Sequence, residues 1–443
     1  MTVGFEPEKN RILPKRIKFV ILRQQTTGFG CASIFNNTKY TNYMDFKFSD
    51  CVQSFRSSAI RDLMSLATRS DIISFAGGMP GNELFPVEDM VEMSAKFSRK
   101  QWEEAMQYGP TPGNPGLVKE LTEFLRRRNF PVDRNKLIIT TGSLQGLNII
   151  AKLFINPGDT VITENPVFIG GISSFLSYQA NIESCDLDAD GINIEQLKEK
   201  INRNPKPKLL YLTPNFHNPA GLVYSRRRRE ELIEVMRGTE IPIIEDDAYG
   251  ELYYDKEGYE RSRPMKTWVD AEMDSQILYT GSFSKIFGPG LRVAWALVPE
   301  IVYEKMQICK QSIDACTPTI SQVFAENFIK TGKMEPYIEQ IRKIYNTRRN
   351  YTLQAIKKYL PQEATYVTPI GGFYFWIKMP HGVDEEQLFR KVVERGAVFV
   401  LGSVFHPHAQ KNGYIRVSYC NTPEEQIDKG IKIIGDAMKE LMA

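Results

Sequence analysis

Short apolar runs alternate with helical stretches from about residue 137 onward. Each run is rich in Ile, Leu, Val or Tyr and has the length of a buried strand. Strands that alternate with helices predict a mainly parallel sheet with helices on both faces, an α/β fold. The five runs are LIIT (137–140), TVIT (160–163), KLLYLT (208–213), IPII (241–244) and QILYT (276–280).

Beyond about residue 300 the pattern changes to two long helical stretches, over 319–330 and 335–360. Strand-like runs and a closing amphipathic helix follow them, which is typical of a smaller α+β domain. The strand-like runs are GGFYFWIKM (371–379), AVFVL (397–401) and YIRVSY (414–419).

These two patterns predict two domains, which a chain of 443 residues is long enough to form. We expect a large domain over 87–310 and a small C-terminal domain over 311–443, which the N-terminal segment 44–86 joins. Residues 1–43 mix charged, Thr, Asn and Gly residues without a sustained period, and we expect them to be a disordered extension.

Composition and charge narrow the class of protein. Hydrophobic residues make up 42% and charged residues 25% of the chain, as in an ordinary soluble globular protein. A net charge of +3 is too small to favour nucleic acid or an anionic membrane as a partner. The apolar runs are too short for a signal peptide or a membrane span. The six cysteines form no C-x-x-C pair, so we expect reduced thiols and a cytoplasmic protein.

Polar, glycine-rich or aromatic residues follow each of the five apolar runs. In an open α/β sheet the ligand lies beyond the carboxyl ends of the strands, so these five segments should border one crevice. They are TGSLQG, ENPVF, PNFHNPAG, EDDAYG and GSFSK.

One part of this crevice has the residues of a phosphate site. Ser143 is expected to cap the helix that begins SLQG, and the positive end of a helix binds phosphate. Taken alone, Ser143 would favour an ordinary helix cap over a phosphate site. Ser282, Ser284 and Arg292 favour the phosphate site, because hydroxyls and a guanidinium complete a phosphate cup.

Two further strand ends carry an acid and an amine. No cluster at metal-ligand spacing accompanies Asp246 and Asp247, so we expect no metal site. A carboxylate there could instead keep a ring nitrogen protonated, as the electron sink of pyridoxal phosphate requires. Lys285, which follows Ser282 and Ser284, would have a lowered pKa beside cationic groups or out of water, and could bond to an aldehyde and move a proton. A solvated surface lysine is the alternative.

These residues resemble the fold-type I pyridoxal-phosphate aminotransferases, and within them the 2-aminoadipate and kynurenine aminotransferase branch, over about residues 50–440. The resemblance implies that Lys285 in SFSK bonds covalently to the cofactor and that Asp246 in DDAY faces its pyridine nitrogen. It also implies that Tyr249 and Asn218 hydrogen-bond the ring 3-oxygen and that Phe168 stacks on the ring. The implied phosphate cup is Ser143, Leu144, Ser282, Ser284 and Arg292.

The resemblance extends to the subunit interface and the substrate. Tyr108 in QYGPTPG is similar to a tyrosine that reaches the phosphate of the neighbouring subunit, which implies a homodimer. Arg416 in YIRVSY would bind the substrate α-carboxylate, and Gly78 would present backbone to the substrate. Arg61 in SSAIRDL would meet a distal carboxylate, unless it is a surface arginine of an amphipathic helix. Tyr374 is the aromatic residue of GGFYFWIKM expected near the substrate.

The function expected from these features is a ping-pong transamination. An amino acid such as 2-aminoadipate or an aromatic donor would give its amino group to 2-oxoglutarate. A pyridoxal-phosphate lyase shares the lysine and stays open. The effector-binding domain of a pyridoxal-phosphate-type transcriptional regulator, lacking its DNA-binding module, is a further alternative. The run RRRR (226–229) is expected to be a solvated helix surface and not a nucleic-acid site.

Overall fold

The structure is a computed structural model that describes residues 46–53 and 71–443. Phe48–Ala443 form one compact unit. Within the described ranges, no helix combines the length and the apolar character needed to cross a membrane. The domain boundaries expected from the sequence stay predictions.

The α-helices of the described residues carry the following labels in chain order: α1 (Asp50–Gln53), α2 (Val87–Ala95), α3 (Arg99–Met106), α4 (Pro115–Arg126), α5 (Ser143–Phe154), α6 (Ile169–Leu176), α7 (Ile194–Ile201), α8 (Arg226–Met236), α9 (Lys256–Arg261), α10 (Ala271–Gln276), α11 (Glu300–Gln311), α12 (Thr319–Lys330), α13 (Met334–Tyr359), α14 (Glu385–Glu394) and α15 (Glu424–Met442).

The strands of the same residues are β1 (Ile73–Ser74), β2 (Lys136–Thr140), β3 (Thr160–Asn165), β4 (Asn181–Asp188), β5 (Gly191–Ile192), β6 (Leu209–Leu212), β7 (Ile243–Asp247), β8 (Ile277–Ser282), β9 (Ala294–Val298), β10 (Thr365–Tyr366), β11 (Tyr374–Lys378), β12 (Ala397–Val398), β13 (Val400–Leu401) and β14 (Tyr414–Ser418).

The large sheet has the strand order β2-β9-β8-β7-β6-β3-β4-β5. Its central strands pair in parallel, whereas β9 runs antiparallel to both β2 and β8. The five strands predicted from the apolar runs therefore all point the same way, and their carboxyl ends meet at one edge. The predicted α/β fold class is confirmed.

Helices cover both faces of this sheet because its strands are apolar on both sides. Successive side chains of a strand point to opposite faces. Ile244 accordingly packs with Ile138 and Phe175 in one core cluster, and Ile243 packs with Leu232 in another. Continuous apolar runs, rather than alternating ones, are what a sheet buried on both faces requires.

A smaller antiparallel sheet, in the order β10-β11-β14-β13, lies in the C-terminal part of the chain, and β1 pairs in parallel with β12. The run AVFVL does not form the single strand that was expected. Phe399 separates β12 from β13, because β12 belongs to the two-stranded sheet with β1 whereas β13 pairs with β14. The sequence pattern does not indicate this change of sheet, because β12, Phe399 and β13 are all apolar.

The expectation for RRRR is wrong for half of the run. Ser225 caps α8 as its position suggests, and Arg226 and Arg227 are exposed. Arg228 and Arg229, however, are buried, because they lie one turn before the buried Leu232 and Ile233 on the inner face of the helix. Arg228 pairs with Asp188 at 2.9 Å, and Arg229 lies 3.6 Å from the buried Glu245.

Candidate active site

The carboxyl end of β7 carries two buried carboxylates that point in opposite directions. Asp246 accepts hydrogen bonds from the Tyr211 hydroxyl at 2.9 Å and from the Thr280 hydroxyl at 2.8 Å. Asp247 accepts one from the Tyr279 hydroxyl at 3.0 Å and one from the Gly250 N–H at 2.8 Å. Because strand side chains alternate, each face of the sheet receives one of the two acids.

Burial dominates the electrostatics of Asp246. It raises the pKa of this carboxyl to about 6, although the hydroxyl donors of Thr280 and Tyr211 oppose the shift. Within the described residues both hydrogen-bond partners of Asp246 are neutral. Asp246 is therefore a buried acid without a cationic partner there, which is costly unless a ligand supplies the positive charge.

Lys285 follows β8, and its amine points back across the crevice. Its Nζ donates a hydrogen bond to the Gly78 carbonyl oxygen at 2.8 Å. Burial lowers the pKa of Lys285 to about 8; the Cys420 thiol opposes this shift, and the positive charges of Arg416 and Arg292 add to it. A lowered pKa leaves more of the amine neutral near physiological pH, which is the form that attacks an aldehyde.

The N-terminus of α5 corrects the expectation for Ser143. The N-cap is Gly142, with φ of 79°, and Ser143 is the first helical residue. A Cβ at position 142 would overlap the Arg292 guanidinium, so only glycine permits this close approach. The first N–H groups of a helix have no intrahelical partner. Ser282 and Ser284 lie together, with their hydroxyl oxygens 2.9 Å apart.

Two apolar side chains, Leu144 and Phe168, approach each other over Gly170. A Cβ on Gly170 would lie 3.0 Å from Leu144 Cδ2 and would collide with the Phe168 ring. Phe168 is the N-cap residue of α6 and is half-buried.

Arg416 of β14 is almost fully buried and is held from several sides. Its Nη1 donates to Asn218 Oδ1 at 2.7 Å, and its Nη2 donates to the Ala76 carbonyl oxygen at 2.6 Å. The guanidinium lies 4.4 Å from the centre of the Tyr374 ring and 4.7 Å from that of Phe405. Its Nε has no hydrogen-bond partner in the described part of the chain.

Tyr374 connects several of the predicted residues. Its hydroxyl lies 2.9 Å from that of Tyr249, and both rings are buried. A Cβ built on Gly78 would collide with the same Tyr374 hydroxyl. The structure thus brings together Lys285, Gly78, Tyr374, Tyr249, Arg416 and Asn218 through direct contacts.

Of the other predicted residues, Tyr108 lies on the protein surface. The Tyr108 side chain is 85% exposed. Arg61 lies outside the described residues. Sequence reasoning missed Tyr211 and Thr280, although each stands one strand away from Asp246. The available signal was register: Thr280 pairs directly with Asp246 between β8 and β7.

The charges of the site test whether pyridoxal phosphate fits it. The described hydrogen-bond partners of Lys285, Arg292 and Arg416 are neutral oxygens. Arg292 and Arg416 therefore have their charge available for a phosphate and a substrate carboxylate, and the Lys285 amine is available for an aldehyde. Asp246 in turn has its charge available for a protonated ring nitrogen. A cofactor with an anionic phosphate, an aldehyde and a basic ring nitrogen complements this set of residues.

Comparison with known proteins agrees with this fit. The profile described as "Aminotransferase class I and II" matches residues 70–434. The aromatic-amino-acid aminotransferase 1 of Thermococcus litoralis is 35% identical, with 89% of this chain and 94% of that protein covered. The 2-aminoadipate transaminase of Thermus thermophilus is 33% identical, with 88% and 95% covered.

A solved structure gives the same result. The kynurenine aminotransferase of Pyrococcus horikoshii, solved in complex with PMP, superposes with a TM-score of 0.84. The sequence identity is 33%, and 89% of this chain and 98% of that chain are covered. The chain therefore belongs to the class I and II aminotransferase family and is a pyridoxal-phosphate-dependent transaminase that acts on an amino acid and a 2-oxo acid.

Proposed function

We propose that the crevice at the carboxyl edge of the large sheet is the transamination site and that Lys285 is its covalent and proton-transferring residue. The observation that carries this proposal is the charge pattern: Lys285, Arg292 and Arg416 have neutral described partners, both arginines act electrostatically on the Lys285 amine, and the same edge of the sheet carries the buried acid Asp246. Pyridoxal phosphate, when bound, supplies an aldehyde that accepts the amino group and a ring that delocalises the electron pair left at the substrate Cα.

The cofactor-binding residues form two groups, one that binds the phosphate and one that binds the ring. The N–H groups at Ser143 and Leu144, the hydroxyls of Ser282 and Ser284, and the Arg292 guanidinium bind the phosphate. On the ring, Asp246 keeps the nitrogen protonated, Tyr249 and Asn218 donate to the 3-oxygen, and Phe168 packs against one face.

Lys285 and Arg416 act on the substrate. Arg416 binds the α-carboxylate through its guanidinium, and this places the Cα–H bond near Lys285. With the cofactor bound, the neutral Lys285 amine would take the proton from the substrate Cα and, once protonated, would serve as the acid of the reaction, for which a pKa of about 8 is well matched. Gly78 and Tyr374 line the substrate side, where backbone and a buried ring exclude water.

We propose 2-oxoglutarate as the amino acceptor and 2-aminoadipate or an aromatic amino acid as donor. The names of the two similar enzymes from Thermococcus litoralis and Thermus thermophilus support these donor classes. Arg61 would bind the distal carboxylate of a dicarboxylic substrate. A panel of amino donors with 2-oxoglutarate, measured by the glutamate formed, tests the assignment. Ammonia release without glutamate would favour a lyase instead.

Borohydride reduction tests the role of Lys285 directly. The reduced holoenzyme should carry the cofactor label on the peptide that contains Lys285, and Lys285→Ala should carry none. Lys310 provides a matched control, because it is also buried but pairs with Asp314 at 2.7 Å. A label on any lysine other than Lys285 would contradict the proposal.

The active unit is proposed to be a cytoplasmic homodimer in which Tyr108 of each subunit reaches the cofactor phosphate of the other. Apolar side chains support this assembly: Tyr108, Leu144, Ile313 and Ile320 are all exposed. The backbone next to Tyr108 lies close to the start of α12, because a Cβ on Gly109 would lie 3.1 Å from Thr319 Oγ1. Such exposed apolar residues are typical of a surface that another subunit covers.

Subunit complementation tests the shared site. Lys285→Ala and Tyr108→Ala are each purified as inactive or weakly active proteins and then mixed after reversible dissociation. Heterodimers would contain one site with both changes and one intact site. Equal mixing should therefore restore roughly a quarter of the wild-type activity. If mixing restores nothing although heterodimers form, Tyr108 does not act across the interface.

A further inference from the structure

The Asp246 carboxylate is fixed by neutral hydroxyl donors from the strands on either side of it. β7 lies between β6 and β8 in the large sheet. Tyr211 of β6 donates to Asp246 Oδ2 at 2.9 Å, and Thr280 of β8 donates to Oδ1 at 2.8 Å. Each oxygen has thus one strong donor, and the carboxylate cannot rotate without losing both.

The Tyr211 side chain is held in place by its surroundings. Its ring is fully buried and packs edge to face on Phe175, with ring centres 5.2 Å apart. On its other side lies Gly171. A Cβ at that position would be 2.7 Å from the Tyr211 hydroxyl and 2.6 Å from two ring carbons. Glycine at position 171 is therefore what allows the hydroxyl to reach the acid.

We infer that Tyr211 is a positioning residue whose hydroxyl orients the Asp246 carboxylate and keeps it an anion for the ring nitrogen of the cofactor. This inference rests on the proposed function of Asp246. Tyr211 does not touch the reacting atoms in this scheme, and it acts only through the acid. Gly171 is part of the same arrangement, because the absence of a side chain there leaves the space that the Tyr211 hydroxyl occupies.

The balance of forces on Asp246 explains why the hydroxyl matters. Burial raises the pKa of Asp246, and the Glu164 carboxylate raises it further by repulsion. The hydroxyls of Thr280 and Tyr211 lower it, since they stabilise the ionised form. Tyr211 and Glu164 are the titratable groups that act on Asp246 within the described residues. Without the Tyr211 hydroxyl the acid would hold its proton more strongly, and the ring nitrogen would lose its anion.

A matched control lies on the opposite face of the same sheet. The Tyr279 hydroxyl donates to Asp247 at 3.0 Å, and both residues are buried. Like Tyr211→Phe, Tyr279→Phe removes one tyrosine hydroxyl from the same sheet. That hydroxyl, however, bonds to Asp247, which points to the opposite face from Asp246. A general effect of losing a buried tyrosine hydroxyl would appear in both variants.

The decisive measurement is the ¹⁵N chemical shift of a cofactor labelled at its ring nitrogen, recorded on the holoenzyme as a function of pH. The nitrogen should remain protonated in the wild type and in Tyr279→Phe. In Tyr211→Phe the protonated fraction should fall, and it should fall further as the pH rises. Pyridoxamine phosphate should also dissociate about 10-fold more readily from Tyr211→Phe than from Tyr279→Phe.

Two further variants make the result decisive. Gly171→Ala should reproduce the Tyr211→Phe spectrum by displacing the hydroxyl, which keeps the test available if Tyr211→Phe folds poorly. Asp246→Asn should lose the protonated signal altogether. A wild-type spectrum for Tyr211→Phe, or equal changes in the two tyrosine variants, would overturn the inference about Tyr211 and leave the proposed function of Asp246 intact. A protonated nitrogen in Asp246→Asn overturns the proposed function of Asp246 and the inference with it.

Discussion

The substitution Gly78→Ala should damage catalysis through a single collision. No positive φ requires glycine at position 78, so alanine can adopt the backbone conformation without strain. The added Cβ, however, would overlap the Tyr374 hydroxyl and lie 3.2 Å from Tyr374 Cζ. The hydroxyl would have to move by more than about 1 Å to reach ordinary van der Waals separation.

The cost of that movement follows from what Tyr374 contacts. Overpacking of a buried ring costs about 1–3 kcal/mol. The displaced hydroxyl would also leave Tyr249, now 2.9 Å away, and the ring would shift beneath Arg416. A displacement of this size next to reacting groups can cost about 100-fold in rate. We therefore expect Gly78→Ala to lower kcat/KM by roughly 10- to 100-fold.

Tyr374→Phe supplies the test of the reasoning. Without the hydroxyl, the nearest ring carbon to the new Cβ is Cζ, at a tight but tolerable distance. The double variant Gly78→Ala with Tyr374→Phe should recover most of the activity lost by Gly78→Ala, measured against Tyr374→Phe alone. Steady-state kinetics on the four proteins gives the coupling. If the double variant is as slow as Gly78→Ala, the collision is not the cause of the loss.

Three other predictions concern Lys285, Arg61 and the N-terminal extension. Covalent uptake of pyridoxal phosphate by the apoenzyme should accelerate as the pH rises through about 8, because the lowered pKa of Lys285 makes its amine neutral in that range. An increase centred near the pKa of an ordinary lysine would contradict this. Arg61→Ala should lower kcat/KM for 2-aminoadipate by roughly 10- to 100-fold and leave aromatic donors much less affected. Equal losses in single-turnover kinetics would make Arg61 structural. Deletion of residues 1–43 should leave activity and Tm nearly unchanged in assays of the truncated enzyme, and loss of folding would refute the prediction.

Local patterns in the sequence were sufficient where structure depends on neighbouring residues. The helices Thr319–Lys330 and Met334–Tyr359 begin and end within a residue of their predicted bounds. The edge at which five strands end was predictable, because parallel strands share a direction. The roles of the residues at that edge came from resemblance, and they remain proposals.

Contacts between distant segments account for what the sequence did not reveal. Ser143 was expected to be a cap because serine suits that position, but the Arg292 guanidinium fills the space beside Gly142 instead. Arg229 resembled a surface arginine because its partner Glu245 is on a different element. Tyr211 resembled an ordinary core residue, because nothing in its own strand shows that a hydroxyl meets Asp246 from the neighbouring one.

The pairing of β1 with β12 has a consequence for the order in which the protein folds. Ile73 and Ser74 are synthesised long before their strand partners Ala397 and Val398, from which most of the large sheet separates them in the sequence. Pairing over such a separation is slow, because the closure of a long loop must precede any gain from the contact. The large sheet can assemble while translation continues, but the segment that carries Gly78 must wait for the C-terminal strands. Catalytic competence should therefore appear only after residues 397–398 have been made and have paired with β1, later than most of the sheet.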